Sequence, residues 1–254
     1  QVQTAREEDF TEHLFVENTH SYILFFTDKG KCYWVKVYDI PEGGRAAKGR
    51  AIVNLIGCEP DEKVSAFIGV KQDQFHDDHF VVMATEKGIV KKTKLSAYSN
   101  PRKKGIYAVE IREGDSLIEA RVSSGENDIL LGTSNGKSIR FSEEQIRPSG
   151  RKTMGVKGIT LSSKDDKVVG MLLIKREGTV LVATENGFGK RTEIIQYRAQ
   201  KRGGKGVLTM KTTDKIGKMI TIKEVVGTDD LMIIRDDGVL IRMPVSQIRS
   251  IGRA

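Results

Sequence analysis

The segment Gln200–Gly206, which reads Gln-Lys-Arg-Gly-Gly-Lys-Gly, carries residue types that suit the binding of phosphate groups. Its three glycines leave the backbone bare and mobile, so its N–H groups can donate to phosphates, and three cations accompany them. The segment is not a P-loop, because it has no Gly-Lys-Ser/Thr sequence and no strand-to-helix context. The alternative interpretation is a β-bulge or a wide turn with solvated charges. We expect a loop that contacts a polyanion.

No set of side chains in the sequence forms a recognisable catalytic or metal-binding constellation. His76 and His79 lie three residues apart in a polar stretch, which favours a solvated loop over a metal site. Cys32 and Cys58 form no Cys-x-x-Cys pair, which favours a reduced cytosolic protein. Paired aspartates occur in turn-like stretches, where aspartate is simply a good turn former. These pairs are Asp77-Asp78, Asp165-Asp166, Asp229-Asp230 and Asp236-Asp237. We therefore predict no catalytic residue, no metal and no cofactor in this chain.

The chain is basic: lysine and arginine number 42 against 34 acidic residues, and the net charge is +8 over 254 residues. A basic excess of this size favours a polyanionic partner, of which nucleic acid is the commonest. A hydrophobic share of 38% is enough for a core, so a disordered chain is not favoured. No apolar run approaches the roughly 20 residues of a membrane helix, and no signal peptide opens the chain. The sequence predicts a cytoplasmic protein without a membrane partner, and the lack of an initial Met suggests a fragment.

A strand–turn–strand pattern recurs along the chain. In each copy an apolar strand enters a tight turn that ends in glycine, and a second strand follows. This is hairpin chemistry, because glycine accepts the positive φ that the turn demands. The anchor glycines are Gly30, Gly88, Gly136, Gly187 and Gly238, which lie 58, 48, 51 and 51 residues apart. A second glycine recurs after the anchors, at Gly49, Gly105, Gly155 and Gly206.

Each unit of the pattern supplies about four short strands, which is typical of a propeller-type blade. A β-rich strand opens each unit; these strands are His13–Val16, Val64–Ile68, Leu117–Val122, Val168–Ile174 and Met219–Ile222. A fourth strand follows the second glycine, as at Ala51–Leu55 and Val207–Met210. We predict an all-β fold in one domain, 1–254, with repeats at about 1–60, 61–113, 114–163, 164–213 and 214–254. The last repeat is incomplete, so the chain looks cut at both ends relative to a closed ring.

Positive charge returns at two places in the repeat. The fourth residue after the anchor glycine is Trp34, Lys92, Arg140, Arg191 or Arg242, and the loops before the second glycine are also basic, Arg147, Arg249 and Arg253 included. Cations at one place in every blade would form a curved track for the phosphates of duplex DNA, without base readout and with bending. Solvated surface charges are the alternative. The candidate DNA-binding residues are Arg45, Lys48, Arg50, Lys91, Lys92, Arg102, Lys103, Lys104, Arg140, Arg151, Lys152, Lys190, Arg191, Arg198 and Arg242, with the loop residues Gln200, Lys201, Arg202, Gly203, Gly204, Lys205 and Gly206.

The loop Gln200–Gly206 resembles the gyrase A box, usually Gln-Arg-Arg-Gly-Gly-Lys-Gly, with lysine at the second position. The whole chain is similar to the family of C-terminal domains from the A protein of DNA gyrase, which is a type IIA topoisomerase. The matching segments are Glu7–Phe10, Val35–Tyr38, Lys48–Leu55, Gly150–Val156 and Gly187–Thr192. In the family the box usually lies in the first blade, just ahead of Glu-Asp-Phe, a place that falls before Gln1 here. The principal box is therefore expected upstream of this chain.

The resemblance implies a β-pinwheel, a six-bladed ring that wraps DNA so that the holoenzyme introduces negative supercoils. It also implies an A2B2 assembly that joins the rest of the gyrase A protein to the ATPase B protein, with ATP and magnesium used only in that holoenzyme. The family's DNA-cleaving tyrosine and metal-binding carboxylates belong to other domains, so Tyr22, Tyr98 and Tyr197 receive no such role. Two rivals stay open. One is the C-terminal domain of the topoisomerase IV A protein, and the other is a protein-binding propeller.

Overall fold

A computed structural model describes residues 16–43, 51–100, 102–234 and 239–253. The predicted DNA contacts Arg45, Lys48 and Arg50 lie outside these residues, as does most of the predicted opening strand His13–Val16. The described part of the chain is built from short strands, one short helix and 3-10 turns, so the all-β prediction is confirmed.

The strands are β1 (Tyr22–Thr27), β2 (Lys31–Lys36), β3 (Val64–Val70), β4 (Phe80–Thr85), β5 (Ile89–Lys94), β6 (Ile106–Tyr107), β7 (Leu117–Ser123), β8 (Asp128–Thr133), β9 (Lys137–Ser142), β10 (Val156–Lys157), β11 (Val168–Ile174), β12 (Thr179–Thr184), β13 (Gly189–Glu193), β14 (Val207–Leu208), β15 (Met219–Val225), β16 (Asp230–Ile234) and β17 (Leu240–Pro244). The helix is α1 (Ile52–Ile56). The 3-10 turns are Val37–Asp39, Gln72–Gln74, Leu95–Tyr98, Glu143–Gln145, Ile194–Gln196 and Val245–Gln247.

Every sheet is built on an antiparallel hairpin, and the outer strands come from later in the chain. The sheet orders are β3-β1-β2-β6, β10-β5-β4-β7, β11-β8-β9-β14, β13-β12-β15 and β16-β17. We call each hairpin with its partner strands a blade, numbered first to fifth along the chain. The opening strand of each repeat pairs with the hairpin before it, and the strand after the second glycine crosses to the same preceding blade. The sheets therefore straddle the predicted repeat limits, and neighbouring blades exchange strands.

The anchor glycines are junctions between blades as well as hairpin turns. The carbonyl of Gly30 accepts the N–H groups of Ala108 and Val109 at 2.8 and 3.2 Å, just after strand β6. Gly30 has φ +80°, and a Cβ there would lie 2.3 Å from the Val109 carbonyl oxygen. Gly88 accepts Gly158 and Ile159 in the same way. Glycine is thus required both by the turn and by the close approach of the next blade.

The hydrophobic core lies between neighbouring blades. The first hairpin strand is apolar on both faces in β1, β4 and β12. Five of the six residues of β1 are buried, as expected for a strand covered on two sides. One cluster joins Leu24 and Phe26 of the first blade to Val81 and Met83 of the second. Another cluster joins the second blade to the third. Each blade therefore needs its neighbours to bury its apolar area.

The predicted strand Ala51–Leu55 is wrong, because this segment forms α1. In later repeats the equivalent segment pairs with the outer hairpin strand of the preceding blade, as β6 does with β2. The described residues contain no blade ahead of the first one. The segment satisfies its backbone locally instead, and it ends at Gly57, which has φ +63° and donates its N–H to the Val53 carbonyl.

Candidate nucleic-acid interface

Four loops of the same position in the repeat carry cations that have no acidic partner. We call them the basic loops: Arg102–Gly105, Arg147–Gly155, Arg198–Gly206 and Arg249–Arg253. No lysine or arginine in them forms an ion pair with any described residue, although other surface cations do, such as Lys94 with Asp77. Their exposed cations are Arg102, Lys103, Lys104, Arg147, Lys152, Arg198, Lys201, Lys205 and Arg249, and Arg151, Arg202 and Arg253 are half-buried. Unpaired exposed charges of one sign create the positive potential that a polyanion needs.

Equivalent backbone bonds place three of the four basic loops, those after the third, fourth and fifth hairpins, at equivalent positions. The N–H groups of Ser149, Gln200 and Ile251 donate to carbonyls of the preceding blade, at 2.9, 2.8 and 2.9 Å. The acceptors are Lys92, Arg140 and Arg191, the fourth residues after their anchor glycines. Since the same bond recurs in the third, fourth and fifth blades, the loops lie at equivalent places along the blade series.

The box-like loop Gln200–Gly206 is docked on two earlier blades, the third blade and the segment after β10, rather than bare. The N–H of Gly203 donates to the Gly158 carbonyl at 2.7 Å. The carbonyls of Gly203 and Gly204 accept the Thr160 hydroxyl and N–H at 2.7 and 2.8 Å. A Cβ on Gly206, which has φ +69°, would lie 2.4 Å from the Ser138 carbonyl oxygen. The glycines therefore allow close packing between blades. The expectation of a bare, mobile backbone in this loop is wrong, because the backbone is bonded to neighbouring segments.

The three cations of that loop fall into two kinds. Arg202 is a docking arm: its Nε donates to the Gln145 carbonyl at 3.2 Å, and its guanidinium also donates to the Lys157 carbonyl. Arg151 repeats the second contact one blade earlier, since it donates to the Tyr107 carbonyl at 3.2 Å. Lys201 and Lys205 are exposed and bond to no residue in the described ranges. Only these two lysines of the loop are free for a ligand.

The recurrent basic residue after the anchor glycine is a connector between blades. Lys92 is 4% exposed, and its ammonium group donates to the Glu143 carbonyl of the next blade at 3.2 Å. Arg140 donates to the carbonyls of Ile194 and Tyr197, both at 3.3 Å. Arg191 donates through Nε to the Ile248 carbonyl at 2.7 Å. We call Lys92, Arg140 and Arg191 the clasp residues.

Two further predicted contacts are buried lysines, which we call the latch lysines. Lys91 is 1% exposed and Lys190 is 7% exposed. The ammonium group of Lys91 donates to the carbonyls of Ala108 and Arg151 at 2.7 and 2.5 Å. Burial, with a smaller contribution from the charge of Arg151, lowers the pKa of Lys91 to about 8. Burial likewise lowers the pKa of Lys190, whose ammonium group donates to the Gly252 carbonyl at 2.9 Å.

The sequence pattern predicts that the recurrent cations share a rim that contacts DNA, but Lys91, Lys92 and Lys190 are buried between blades. The physical reason is the stem length of lysine, which carries the ammonium group across a blade interface to backbone carbonyls. Arg242 is exposed but is paired with Asp230, so it differs from the loop cations. Whether any of these residues binds DNA stays a prediction.

Three residues of the site were missed from the sequence. Asp128 pairs with Arg140 across the hairpin at 2.7 Å, and Asp230 stands in the same place opposite Arg242. Both aspartates lie eight residues before their anchor glycine, and their arginine partners lie four residues after it, so aligning these two repeats shows the pairing. Gln145 accepts the Arg202 N–H at 2.8 Å and donates to the Gln200 carbonyl at 3.3 Å. No local pattern marks Gln145, because its partners lie a whole repeat away.

Other chemistry has little support in the part of the chain that the structure describes. No three His, Cys, Asp or Glu side chains of the described residues come together as metal ligands. Cys32 is buried and Cys58 is half-buried, and neither is in a disulfide. No helix within these residues is long and apolar enough to span a membrane.

Blades that exchange strands and carry a row of basic loops define a propeller-like repeat domain of the β-pinwheel kind. A family model described as "DNA gyrase C-terminal domain, beta-propeller" matches residues 21–70, 79–124, 127–175, 178–225 and 229–254. The DNA gyrase A protein of Staphylococcus aureus is 46% identical over 256 residues, which cover all of this chain and 29% of that protein. The chain therefore belongs to the family of DNA gyrase A C-terminal domains. It spans less than a third of the length of the curated relatives it matches.

Solved structures agree on the fold. The C-terminal domain of a DNA topoisomerase IV superimposes with a TM-score of 0.82 at 25% identity, covering 92% of this chain and 73% of that one. A DNA gyrase A C-terminal domain superimposes with a TM-score of 0.81 at 22% identity, covering 93% and 76%. At 22% identity, the similarity to the gyrase A structure supports the fold alone.

Proposed function

We propose that the row of basic loops binds duplex DNA and wraps it along the blade series. The observation that carries the proposal is the absence of acidic partners for the loop cations, in equivalent loops of four successive described blades. Surface cations with carboxylate neighbours contribute little to a polyanion site, whereas unpaired ones release counterions when they meet phosphates. Because the contacts are to phosphates, the binding is largely independent of sequence.

Bending follows from the repetition of the loops. A straight duplex meets few of the loops if the row is curved, and each extra loop engaged adds phosphate contacts that offset the energy of bending. Bending a site of 20–30 base pairs costs on the order of 1–6 kcal/mol, which a few additional phosphate contacts supply.

Within the whole protein, we propose that this wrap presents DNA to the cleavage gate so that strand passage introduces negative supercoils. The partners are then the rest of the gyrase A protein and its ATPase partner, the B protein, in an A2B2 assembly in the cytoplasm. The domain itself has no catalytic role, and ATP and magnesium are used elsewhere in the assembly. This proposal rests on the gyrase A names of the relatives, together with the basic loops.

A second candidate is the role of a topoisomerase IV domain, since a solved C-terminal domain of that enzyme has the same fold at 25% identity. The two candidates differ in outcome. If the chain serves a gyrase, deleting this region from the parent protein abolishes ATP-dependent negative supercoiling but leaves relaxation. Supercoiling that survives the deletion contradicts the wrapping role.

DNA binding is tested by reversing three loop charges together, Lys103→Glu, Lys152→Glu and Lys201→Glu. Fluorescence anisotropy with a labelled duplex, measured over a salt series, should show a salt slope smaller by about 3, since each phosphate contributes about 0.9. The matched control reverses Lys71, Lys164 and Lys215, which are exposed and lie outside the basic loops. Equal losses in the two variants would reject the loop assignment in favour of net charge.

A further inference from the structure

The latch lysines connect the interior of the fold to the basic loops. Lys91 lies in β5 of the second blade, and its two acceptors lie in other segments. Ala108 follows β6, which crosses to the first blade, and Arg151 lies in the basic loop Arg147–Gly155 that follows the third blade's hairpin. One buried ammonium group therefore ties three blades together at a loop that carries exposed cations.

The residue three positions after the anchor glycine can be compared between repeats to see which of them have a buried lysine bonded to a basic loop. Lys190 donates to the Gly252 carbonyl in the basic loop Arg249–Arg253, so a buried lysine again bonds to a basic loop two blades later, at a carbonyl one residue earlier in the loop. Ile139 occupies the position facing the box-like loop, and a Cβ on Gly204 would lie 3.5 Å from its Cδ1. That loop is fixed by backbone bonds of Gly203 and Gly204 to the segment after β10. A basic loop is therefore held in one of two ways: by a buried lysine, or by backbone bonds of two glycines where the lysine is replaced by isoleucine.

Burying this ammonium group opposes folding. No carboxylate of the described residues bonds to Lys91, and its acceptors are two neutral carbonyls. An apolar side chain of similar volume would avoid the desolvation, and replacing buried charges in this way is often neutral or stabilising. The stability of the fold therefore does not explain why lysine occupies this position. Fixing the backbone of a basic loop does explain it.

We propose that Lys91 is a positioning residue for DNA binding, which holds the Arg151 carbonyl so that the cations of the loop Arg147–Gly155 face the duplex. Lys190 does the same for the loop Arg249–Arg253. The inference rests on the proposed DNA-binding function, but the hold on the loop is a separate and measurable property.

Few groups that face Lys91 change charge near neutral pH. Arg151 and Glu110 act on it through their charges. Tyr98 also donates to the Ala108 carbonyl, and burial raises the pKa of its hydroxyl. Cys32 lies in the same core cluster, and burial raises the pKa of its thiol. Because the pKa of Lys91 is lowered to about 8, its ammonium group loses its proton between pH 7 and 9. The raised pKa values keep the Tyr98 hydroxyl and the Cys32 thiol neutral over this range, and the phosphodiesters keep their charges.

The test compares this chain with its Lys91→Met variant, and Ile139→Met is the control at the equivalent position. Hydrogen exchange followed by mass spectrometry reports on the loop Arg147–Gly155, and anisotropy reports on DNA affinity at pH 7 and 9. We expect faster exchange in the loop and about fivefold weaker DNA binding at pH 7 for Lys91→Met, as for one or two misplaced phosphate contacts. The unaltered chain should lose affinity between pH 7 and 9, and Lys91→Met should show no such step.

Unchanged exchange in the loop of Lys91→Met would overturn the inference even if the chain binds DNA. Faster exchange without any DNA binding by the unaltered chain would instead reject the proposed function and leave the latch in place. If Lys91→Met fails to fold, the pH series on the unaltered chain decides. A DNA affinity that is flat from pH 7 to 9 at constant ionic strength then overturns the inference.

Discussion

The clasp residues and the loop lysines are two sets of cations that recur with the same period but do different things. Lys92 and Arg140 cross to carbonyls of the next blade, and Lys92 is buried there while Arg140 is half-buried. Lys152 and Lys201 lie in the basic loops and have no acidic partner among the described residues. A recurrent positive charge in a repeat protein therefore has two meanings. It marks either the interface between repeats or a surface shared by them, and burial with bonded partners separates the two.

The largest effect is expected for a clasp. Arg140→Ala should lower the free energy of unfolding by about 2–4 kcal/mol, because it leaves Asp128 half-buried without its partner and removes two bonds to the next blade. Urea denaturation measures this. Arg242→Ala is the matched control: it breaks the same cross-hairpin pair, but Arg242 is 71% exposed, so a loss below about 1 kcal/mol is expected. Similar losses for both variants would remove the distinction between clasp and surface pair.

A glycine-to-alanine substitution tests how closely the box-like loop packs against Ser138. Gly206→Ala should destabilise the chain by about 1–3 kcal/mol, because Gly206 has φ +69° and its new Cβ would meet the Ser138 carbonyl. Gly150→Ala serves as control, since a Cβ there meets nothing within 4 Å. Thermal unfolding of both variants is the measurement. A stable Gly206→Ala variant would mean that the loop is not packed as described.

The latch lysine makes stability depend on pH. The folded-state pKa of Lys91, about 8, lies below the ordinary value of 10.5. The folded chain therefore loses this proton first as the pH rises. The stability that depends on this lysine is fully present above its unfolded-state pKa and is lost as the pH falls through its folded-state pKa. Relative to Lys91→Met, the unaltered chain should gain roughly 1–3 kcal/mol between pH 8 and 10.5, measured by urea titration. A difference that stays constant over this window would show that the ammonium group is not desolvated.

The smallest effects separate two neighbouring cations. Arg202→Ala should lower stability by about 1 kcal/mol, since it loses bonds to Gln145 and Lys157, and should leave the salt slope of DNA binding nearly unchanged. Lys201→Ala should leave stability unchanged and reduce that slope by about 0.9. Denaturation and a salt series on both variants measure the two quantities. The reverse pattern would place the DNA contact on Arg202.

The local parts of the fold could be predicted from the sequence. The hairpins at Gly30 and Gly88 follow from turn chemistry within a few residues, and they occur where predicted. The exchange of β6 to the first blade could not be predicted, because that pairing joins residues about seventy positions apart and leaves no periodic signal. The same limit explains why the sequence did not distinguish buried Lys91 from exposed Lys152, since both lie among other basic residues. Only the packing of a neighbouring blade buries one and exposes the other.

The central claim is that the basic loops wrap DNA, and a change in linking number tests it most directly. Nicked circles are ligated with the chain bound, and the topoisomers are then resolved on a gel. We predict a shift in linking number that grows with protein concentration. It should disappear for Lys103→Glu with Lys152→Glu and Lys201→Glu, and persist when Lys71, Lys164 and Lys215 are reversed instead. No shift with the unaltered chain, or an equal shift with the loop variant, would contradict the account.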